Sequence, residues 1–377
     1  MTATRLVQPS RHAERDSVTH YPETMQVRTR NYLQTGQSGC YDHLGRRIAC
    51  TGSGQDAEFS RGLAWQPRGR FRLHNSSVID TATGLHWLRN AGYGEFPMTW
   101  QEALEFIAWM NHEQDPGESD WRLPNRRELR SLISHQATRP ALPEQHPFEN
   151  LFQGWYWTST TAVISPSHAW YVDMAGGRMF YGGKDQSFMV WPVRGSAEYS
   201  LPVTGQDICY DTQGAVIDCA GSYQDGAIRA GQAWPDPRFR TGKDGVVDHL
   251  TGLCWHRCAD LANGEVSWDA ALAGIAALNG SAGPHGWRLP NINELESLVD
   301  CGRARPAVAI TADVLDLPGA VYWSSTTSMY EPDWAWALYP DKGAVGVGHK
   351  LQGRFSVWAV RSDLQHRADA SDAGGQL

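Results

Sequence analysis

Four cysteines occur as two pairs with the same spacing. Cys40 and Cys50 are ten residues apart, and Cys209 and Cys219 repeat that spacing around a matching turn sequence, YDxxGxxI. Two thiolates per pair could contribute to a zinc site, but no matched His or further Cys completes four ligands, so no metal site is expected. A disulfide that closes each short hairpin is the favoured interpretation, and it requires an oxidising compartment.

Three further cysteines have no counterpart in the first half of the chain. They bring the total to seven, so at least one thiol stays free if the chain is a monomer. The sequence defines neither their pairing nor the oligomeric state. These residues are Cys254, Cys258 and Cys301.

Nucleophilic and acid–base catalysis find little support in the sequence. Ser159 and Ser325 lie in matched STT runs, but no His is matched near either serine to act as a base. Glu128 and Glu294 follow helix-capping asparagines at the third helical position, which explains them as caps. The chain contains no glycine-rich phosphate loop and no HExxH motif. We therefore expect no enzymatic activity.

Aromatic rings, hydroxyls and cations recur together towards the end of each half of the chain. Aromatic rings stack on the C–H faces of sugars, while hydroxyls and cations fix their orientation, so this combination is typical of a carbohydrate site. Packing in the core is the alternative interpretation for each tryptophan. The candidate ligand-binding residues are Trp157, Ser159, Trp170, Lys184, Trp191, Trp323, Ser325, Trp336, Lys350 and Trp358.

The structural elements that must position these residues occur in two copies, because the chain is a tandem duplication. The segment TGQSGCYDHLGRRIAC at Thr35 recurs as TGQDICYDTQGAVIDC at Thr204, and matched tryptophans are offset by 166 to 169 residues. A repeat of this length is too long for a solenoid unit, so each copy should be a domain with its own core. The chain divides into an arm (1–34), repeat 1 (35–200), repeat 2 (201–364) and a disordered tail (365–377).

Local patterns predict two helices and a small antiparallel sheet in each repeat. Thr99 and Glu102 form a capping box ahead of an amphipathic run, and Asn125 and Asn291 are N-caps of a second helix. Short alternating aromatic runs then predict an antiparallel meander, whose last strand is FMVWPVR in repeat 1 and FSVWAVR in repeat 2. The predicted fold class is α+β.

Composition excludes several classes of protein. The 377 residues carry a net charge of −8, which residues 201–377 supply (13 basic against 21 acidic). A pI of 5.9 argues against nucleic acid and anionic membranes as partners. No apolar run approaches the roughly 20 residues of a membrane span, so membrane insertion is not expected. The N-terminus shows no secretory signal, which leaves the cytoplasm open although the paired cysteines favour an extracellular or periplasmic location.

Several motifs together resemble the Lcl C-terminal domain family. They are TGLxW, WRLPNxxEL, YWxSTT and a closing VWxVR, and each occurs once per repeat. The matching positions are 83–87, 121–129, 156–161 and 190–194 in repeat 1, and 251–255, 287–295, 322–327 and 357–361 in repeat 2.

The resemblance implies a bacterial domain related to C-type-lectin-like and sulfatase-modifying-factor-like folds. The family's namesake is the adhesive head of a collagen-like surface protein that binds sulfated glycosaminoglycans. No collagen-like tract is present here, and neither repeat has a cysteine beyond Cys301 for oxidase chemistry. The acidic charge of repeat 2 argues against a polyanionic ligand for that repeat. For repeat 1 a polyanionic ligand stays an open alternative, because four arginines are clustered there: Arg122, Arg126, Arg127 and Arg130.

We therefore expect a non-catalytic binding protein, an adhesin or glycan-recognition protein with two C-type-lectin-like domains that bind a glycan or cell-surface polysaccharide. Two sites in one chain would raise avidity. The alternative is a protein–protein interaction or scaffold subunit, and a formylglycine-generating type of enzyme is the least favoured hypothesis. No cofactor is expected; calcium is left open, because no acidic run has the spacing of a known calcium loop.

Overall fold

The structure is a computed structural model that describes residues 32–65, 68–113, 120–197, 200–280 and 286–362. Of the predicted arm, only its last three residues are among them. The predicted disordered tail, residues 365–377, lies outside the described residues.

The two repeats contain the same elements in the same order. In repeat 1 these are β1 (Cys40–Tyr41), β2 (Arg47–Ile48), α1 (Asp56–Phe59), β3 (Phe71–His74), β4 (Ser77–Asp80), β5 (His86–Leu88), α2 (Trp100–Glu113), α3 (Arg126–Ser131), β6 (Trp155–Thr161), β7 (His168–Asp173), β8 (Met179–Gly183) and β9 (Val193–Arg194). In repeat 2 they are β10 (Cys209–Tyr210), β11 (Val216–Ile217), α4 (Asp225–Ile228), β12 (Phe239–Thr241), β13 (Gly245–Asp248), β14 (Leu253–His256), α5 (Trp268–Gly280), α6 (Ile292–Ser297), β15 (Tyr322–Thr327), β16 (Trp334–Tyr339), β17 (Ala344–His349) and β18 (Val360–Ser362).

The strands of each repeat form three small antiparallel sheets. In repeat 1 the strand orders are β1-β2, β3-β4-β5-β9 and β6-β7-β8, and in repeat 2 they are β10-β11, β12-β13-β14-β18 and β15-β16-β17. The predicted mixture of helices with small antiparallel sheets is confirmed. The one-turn helices α1 and α4 and the four-stranded sheets were not predicted.

The predicted meander has three strands instead of four. Its expected last strand leaves the sheet, and in β9 Val193 pairs with Trp87 of β5. In repeat 2, Val360 of β18 pairs with Trp255 of β14 in the same way. The prediction was wrong here because local alternation identifies a strand but carries no information about a partner that lies more than 100 residues away.

The predicted helix caps are confirmed. The Asn125 side chain accepts a hydrogen bond from the backbone N–H of Glu128, and the Glu128 carboxylate accepts one from the backbone N–H of Asn125, both at 2.9 Å. Asn291 and Glu294 cap α6 in the same way. The cap places α3 and α6 at equivalent positions against the meanders of the two repeats.

The N-terminal hairpin of each repeat packs against the other repeat. We call residues 35–59 leader 1 and residues 204–228 leader 2, and we call the remainder of each repeat its body. Lys350 of body 2 donates a hydrogen bond from Nζ to the main-chain carbonyl of Tyr41 in leader 1 at 3.0 Å. Reciprocally, Lys184 of body 1 donates to the main-chain carbonyl of Tyr210 in leader 2 at 3.1 Å. The two repeats are therefore interlocked by exchanged leaders.

The hydrophobic core also crosses between the repeats. Trp170 and Trp191 of body 1 belong to the same buried cluster as Trp255 and Trp358 of body 2. A second cluster, which contains Trp323, lies within body 2. The repeat boundaries inferred from the sequence stay a prediction. In the structure, each leader packs against the body of the other repeat and one hydrophobic cluster contains residues of both bodies, so neither repeat packs as a separate unit.

Candidate functional site

Both predicted disulfides are confirmed. Cys40 is bonded to Cys50 and Cys209 to Cys219, and each bond closes the hairpin of one leader. Two disulfides in one chain indicate an oxidising environment. Three cysteines are not disulfide-bonded: Cys254 and Cys301 are buried, and Cys258 is exposed.

All ten residues that the sequence suggested for ligand binding are buried, with at most 2 % of any of them exposed: Trp157, Ser159, Trp170, Lys184, Trp191, Trp323, Ser325, Trp336, Lys350 and Trp358. A ring that stacks on a sugar must present a face to solvent, so these tryptophans do not form such a surface in the structure. The cause is tertiary: β6 is covered by α3 of its own body and by α4 of leader 2.

Two matched buried indoles instead hydrogen-bond to the main chain of loops. Trp157 donates from Nε1 to the carbonyl of Met98, and Trp323 donates to the carbonyl of Val266, both at 2.8 Å. A buried indole N–H needs an acceptor, and the two repeats satisfy it in the same way. The matched tryptophans are thus part of the shared fold.

The two lysines fasten the exchanged leaders. Lys350 Nζ donates to two main-chain carbonyls and to the Thr327 hydroxyl, and it lies 4.2 Å from the centre of the Trp268 ring. Lys184 donates to two carbonyls of leader 2 and lies 4.0 Å from the Trp100 ring. Burial lowers the pKa of both ammonium groups to about 7. Their role is to hold leader backbone against a body.

Two aspartates complete the attachment of the leaders. Asp56 of leader 1 accepts a hydrogen bond at 2.7 Å from the hydroxyl of Thr326 in body 2. Asp225 of leader 2 accepts one from Thr160 in body 1, also at 2.7 Å. Burial raises the pKa of both carboxyl groups to about 6, although these hydroxyl donors favour the charged form. The two docking sites are therefore chemically equivalent.

The arginine cluster of repeat 1 binds repeat 2. Arg126 and Arg130 reach the Glu296 carboxylate of α6 at 3.3 and 3.2 Å. Arg127 donates to three main-chain carbonyls of repeat 2 at 2.6 to 3.5 Å, whereas Arg122, which precedes helix α3, pairs with the Glu128 carboxylate of that helix. The polyanionic ligand that the sequence left open for these arginines gains no support from the structure, because none of them is more than 8 % exposed and each already donates to a protein acceptor.

A cleft of about 680 Å³ lies between β8 of repeat 1 and β17 of repeat 2. Each strand is the outer strand of its three-stranded sheet, so two sheet edges from different repeats face each other. Tyr171, Phe180 and Tyr181 line the cleft from repeat 1, and Tyr339 and Val347 line it from repeat 2. The volume falls within the roughly 300–1,000 Å³ of small-molecule sites.

Polar groups stand among these rings. Burial raises the pKa of the Tyr171 and Tyr339 phenols, so both stay protonated and can donate a hydrogen bond at neutral pH. Lys342 Nζ lies 5.3 Å from the centre of the Tyr339 ring. The other polar side chains of the lining are His168, Arg178 and Gln186.

A smaller hollow of about 370 Å³ adjoins the cleft. Tyr171, Arg178 and Phe180 line both spaces, and Trp155 and Tyr330 line the hollow alone. With 46 % of its surface exposed, Phe180 is the most exposed of the cleft's aromatic rings. Because these three residues line both spaces, we call the cleft and the hollow together the groove.

Residues matched between the repeats do not reveal this groove, because its aromatic wall is not duplicated. Phe180 corresponds to Gly346, and Tyr171 corresponds to Ala337. At Gly346 an added Cβ would lie 2.7 Å from the Tyr339 ring, so glycine lets that ring lie against β17. An aromatic residue whose counterpart is Gly or Ala is the sequence signal that could have found the site, because the shared fold does not require that ring.

A second group of exposed rings surrounds α2 of repeat 1. Phe96 is 72 % exposed and Trp109 is 52 % exposed. Phe106 lies between Tyr93 and Trp109, with ring centres 6.2 and 5.7 Å away. The residues that match Phe96 and Trp109 in repeat 2 are a glycine and an alanine. We call Tyr93, Phe96, Phe106 and Trp109 the α2 aromatic patch.

The described residues offer neither a cluster of metal ligands nor a helix that could span a membrane. Among these residues there is no cluster of three or more His, Cys, Asp or Glu side chains that could hold a metal ion. No described helix combines the length and the apolar character needed to cross a bilayer.

The architecture defines a duplicated α+β protein with interlocked repeats and a groove between them. A family model for the Lcl C-terminal domain matches residues 76–194 and 244–361. These matches cover more than half of the chain, so the chain belongs to this family, with two tandem copies of the domain. No curated protein matches the chain significantly.

Proposed function

We propose that this protein is a non-catalytic carbohydrate-binding protein whose ligand occupies the cleft between β8 and β17. The cleft carries the proposal: the exposed ring of Phe180 and the half-buried rings of Tyr171, Tyr181 and Tyr339 line it, with hydroxyl, amide and cationic side chains among them. Rings of this kind stack on sugar C–H faces, and the polar groups satisfy sugar hydroxyls.

Three further elements of the proposal rest on the family and the disulfides. We propose an extracellular or periplasmic location, because disulfides persist in oxidising compartments. We also propose an adhesin-like role on a bacterial surface and a C-type-lectin-like fold for each body. The family membership supports both.

The present proposal differs from the sequence-based hypothesis in the number of binding sites. That hypothesis placed an equivalent site in each repeat, with avidity from two sites. In the present proposal the chain has one site, to which repeat 1 contributes Phe180 and repeat 2 contributes Tyr339. Ligand binding then depends on both repeats at once.

The test is a glycan array with the intact protein, followed by affinity measurements on the glycans that bind. Phe180→Ala and Tyr339→Ala should each weaken binding at least about tenfold, because each removes a ring from the cleft. Trp109→Ala removes an exposed ring outside the cleft and should leave binding unchanged. An array without binding, or equal effects of all three substitutions, would contradict the proposal.

A protein-interaction function is the second candidate, and the α2 aromatic patch favours it. Exposed aromatic clusters are typical of protein interfaces. The patch is absent from repeat 2, so the fold does not require it. If a blank array is followed by loss of a copurifying protein in the Trp109→Ala variant, this alternative replaces carbohydrate binding.

A further inference from the structure

We infer that the α2 aromatic patch is a docking surface for a basic polypeptide segment, whose arginine or lysine side chains pack on the exposed rings and pair with the carboxylates around them. This inference does not depend on the carbohydrate ligand proposed for the cleft. It rests on the protein-interaction candidate and gives the partner a definite chemistry.

The helices α2 and α5 share a buried face. Ala103 and Ile107 of α2 are buried, and so are their counterparts in α5, Ala271 and Ile275. The two helices therefore pack on their bodies in the same way.

The outer faces of the two helices differ. Four side chains of α2 correspond to Ala or Gly in α5: Glu102 to Ala270, Glu105 to Ala273, Phe106 to Gly274 and Trp109 to Ala277. An added Cβ at Gly274 would meet no other part of the described structure within 4 Å, so this face of α5 is open. The shared fold requires none of the four side chains, and rings and carboxylates have been placed together on α2 alone.

Carboxylates surround the rings of the patch. Residues four apart on a helix are neighbours, so Glu105 and Glu113 lie one turn before and one turn after Trp109. Glu102 likewise lies one turn before Phe106. All three carboxylates are on exposed residues. A cation placed on the Trp109 ring would therefore have a carboxylate on either side.

Two of these carboxylates also hold local hydrogen bonds. Glu102 accepts one from the backbone N–H of Thr99 at 2.8 Å, and Glu105 accepts one from the Gln101 side chain at 2.9 Å. An ionised carboxylate has about four acceptor sites, so each of them retains acceptors for a cation.

The segment that carries the patch, residues 89–113, has few cations of its own. Arg89 forms an ion pair with Glu149 at 2.5 Å, and His112 Nδ1 lies 3.8 Å from the Glu113 carboxylate. Glu95 adds a fourth exposed carboxylate in the loop ahead of α2. A partner that brings Arg or Lys complements this charge, whereas an acidic partner would be repelled.

The exposed rings supply the second part of the recognition. Phe96 and Trp109 are 72 % and 52 % exposed. Guanidinium and ammonium groups are attracted to the face of an aromatic ring, most strongly to that of Trp. The same chain shows the arrangement in repeat 2, where the Arg361 guanidinium lies 4.6 Å from the centre of the Trp287 ring and pairs with Asp244 at 3.0 Å.

Charge also favours a different polypeptide over a second copy of this chain. The net charge of −8 makes two copies repel each other at long range. We therefore commit to a basic partner, and association of copies is an outcome of the test.

The first experiment selects binders to the intact protein from a random dodecapeptide library displayed on phage. An excess of the soluble Trp109→Ala variant competes away peptides that bind elsewhere on the surface. The enriched peptides should carry a net positive charge from Arg or Lys. Enrichment of neutral or acidic peptides, or no enrichment, would overturn the inference. The cleft keeps its glycan test in either case, because Trp109 lies outside it.

Fluorescence anisotropy with the most enriched basic peptide then assigns the contacts. Trp109→Ala should weaken its binding at least about tenfold and Glu105→Gln at least about threefold, since each removes one partner of the bound cation. Binding should also weaken between about 50 and about 300 mM NaCl. Binding that salt does not change would indicate an apolar contact and contradict the basic partner.

The charge-matched control is Glu265→Gln. Glu265 is an exposed carboxylate in the loop ahead of α5, the helix that lacks the patch. This variant should change the affinity less than about twofold. Equal losses with Glu105→Gln and Glu265→Gln would show attraction to the overall negative charge and would overturn the assignment to α2.

Light scattering of the intact protein and of Trp109→Ala tests the remaining occupant. Both should have the same mass. A wild-type oligomer that Trp109→Ala dissociates would identify a second copy on the patch and overturn the inference. Circular dichroism and thermal unfolding verify that all three variants are folded.

Discussion

The leader-docking sites and the region where the two bodies meet differ in how far the repeats have diverged. Lys184 and Lys350 are the same residue at matched positions, as are Asp56 and Asp225, and each pair makes the same main-chain or threonine contact between a leader and the opposite body. At the meeting of α3 and α6, by contrast, Arg130 stands opposite its own counterpart, Glu296. The repeats are identical where they hold a leader and different where they face each other.

This difference shows which contacts between the repeats depend on differences in their sequences. Two identical α3 helices would bring arginines together, whereas one arginine-rich and one glutamate-bearing helix attract each other. The groove shows the same asymmetry, with Phe180 in one repeat and Gly346 in the other. Duplication followed by divergence at the meeting surface has made repeats 1 and 2 complementary, and the groove lies at that surface.

The largest expected effect comes from removing the carboxylate between the repeats. Burial opposes ionisation of Glu296, but Arg130, Arg126 and Arg127 outweigh it and lower the pKa of this carboxyl group. Glu296→Gln leaves buried guanidinium groups without their carboxylate, so it should cost about 3–5 kcal/mol in the free energy of unfolding. Urea denaturation followed by tryptophan fluorescence measures it.

The control for this variant is Glu331→Gln. Glu331 also pairs with an arginine of the other repeat, Arg178, but its side chain is 43 % exposed. An exposed pair contributes less than about 1 kcal/mol. Equal losses in the two variants would refute the view that the buried charges hold the repeats together.

The equivalent docking sites predict a pH dependence that both leaders share. The folded-state pKa of Asp56 and Asp225 is raised from 3.8 to about 6, so between these values the folded state binds protons that the unfolded state has lost. Stability from these groups is therefore full below about pH 4 and falls as the pH rises to 6, by roughly 3 kcal/mol for each carboxyl group.

Denaturation of the wild type and of Asp56→Asn and Asp225→Asn at several pH values checks this. Relative to the wild type, each variant should gain stability as the pH rises from about 4 to 6, and the two gains should be equal. A difference between the variants would show that the docking sites are not equivalent, and two flat curves would show that neither carboxyl group is perturbed.

The smallest expected effect is the loss of one hydroxyl from each docking site. Thr326→Val and Thr160→Val each remove a 2.7 Å hydrogen bond to a buried aspartate of the opposite leader. Each should destabilise the fold by about 1–2 kcal/mol, and the two losses should agree within about 0.5 kcal/mol. Thermal unfolding monitored by circular dichroism measures them, with Thr241→Val on the exposed strand β12 as the control.

Much of the local structure could be predicted from the sequence. The helix caps at Asn125 and Asn291 and the disulfide Cys40–Cys50 were predicted correctly, because their partners lie three and ten residues away. The candidate ligand-binding residues, by contrast, are all buried in the structure. Trp157 and Lys184 were selected because both repeats contain them, yet matched residues are the ones that a shared fold requires in its interior.

By itself, the sequence determined the duplication, the family, the hairpin disulfides and the caps, since each depends on order and short spacing along the chain. Only the tertiary structure decided that each leader docks on the other repeat. Both bodies offer a leader the same lysine and threonine, Lys184 with Thr160 and Lys350 with Thr326, so no local feature distinguishes the two destinations. The burial of the arginines and the position of the groove follow from that exchange, because both arise where two bodies distant in sequence are brought into contact.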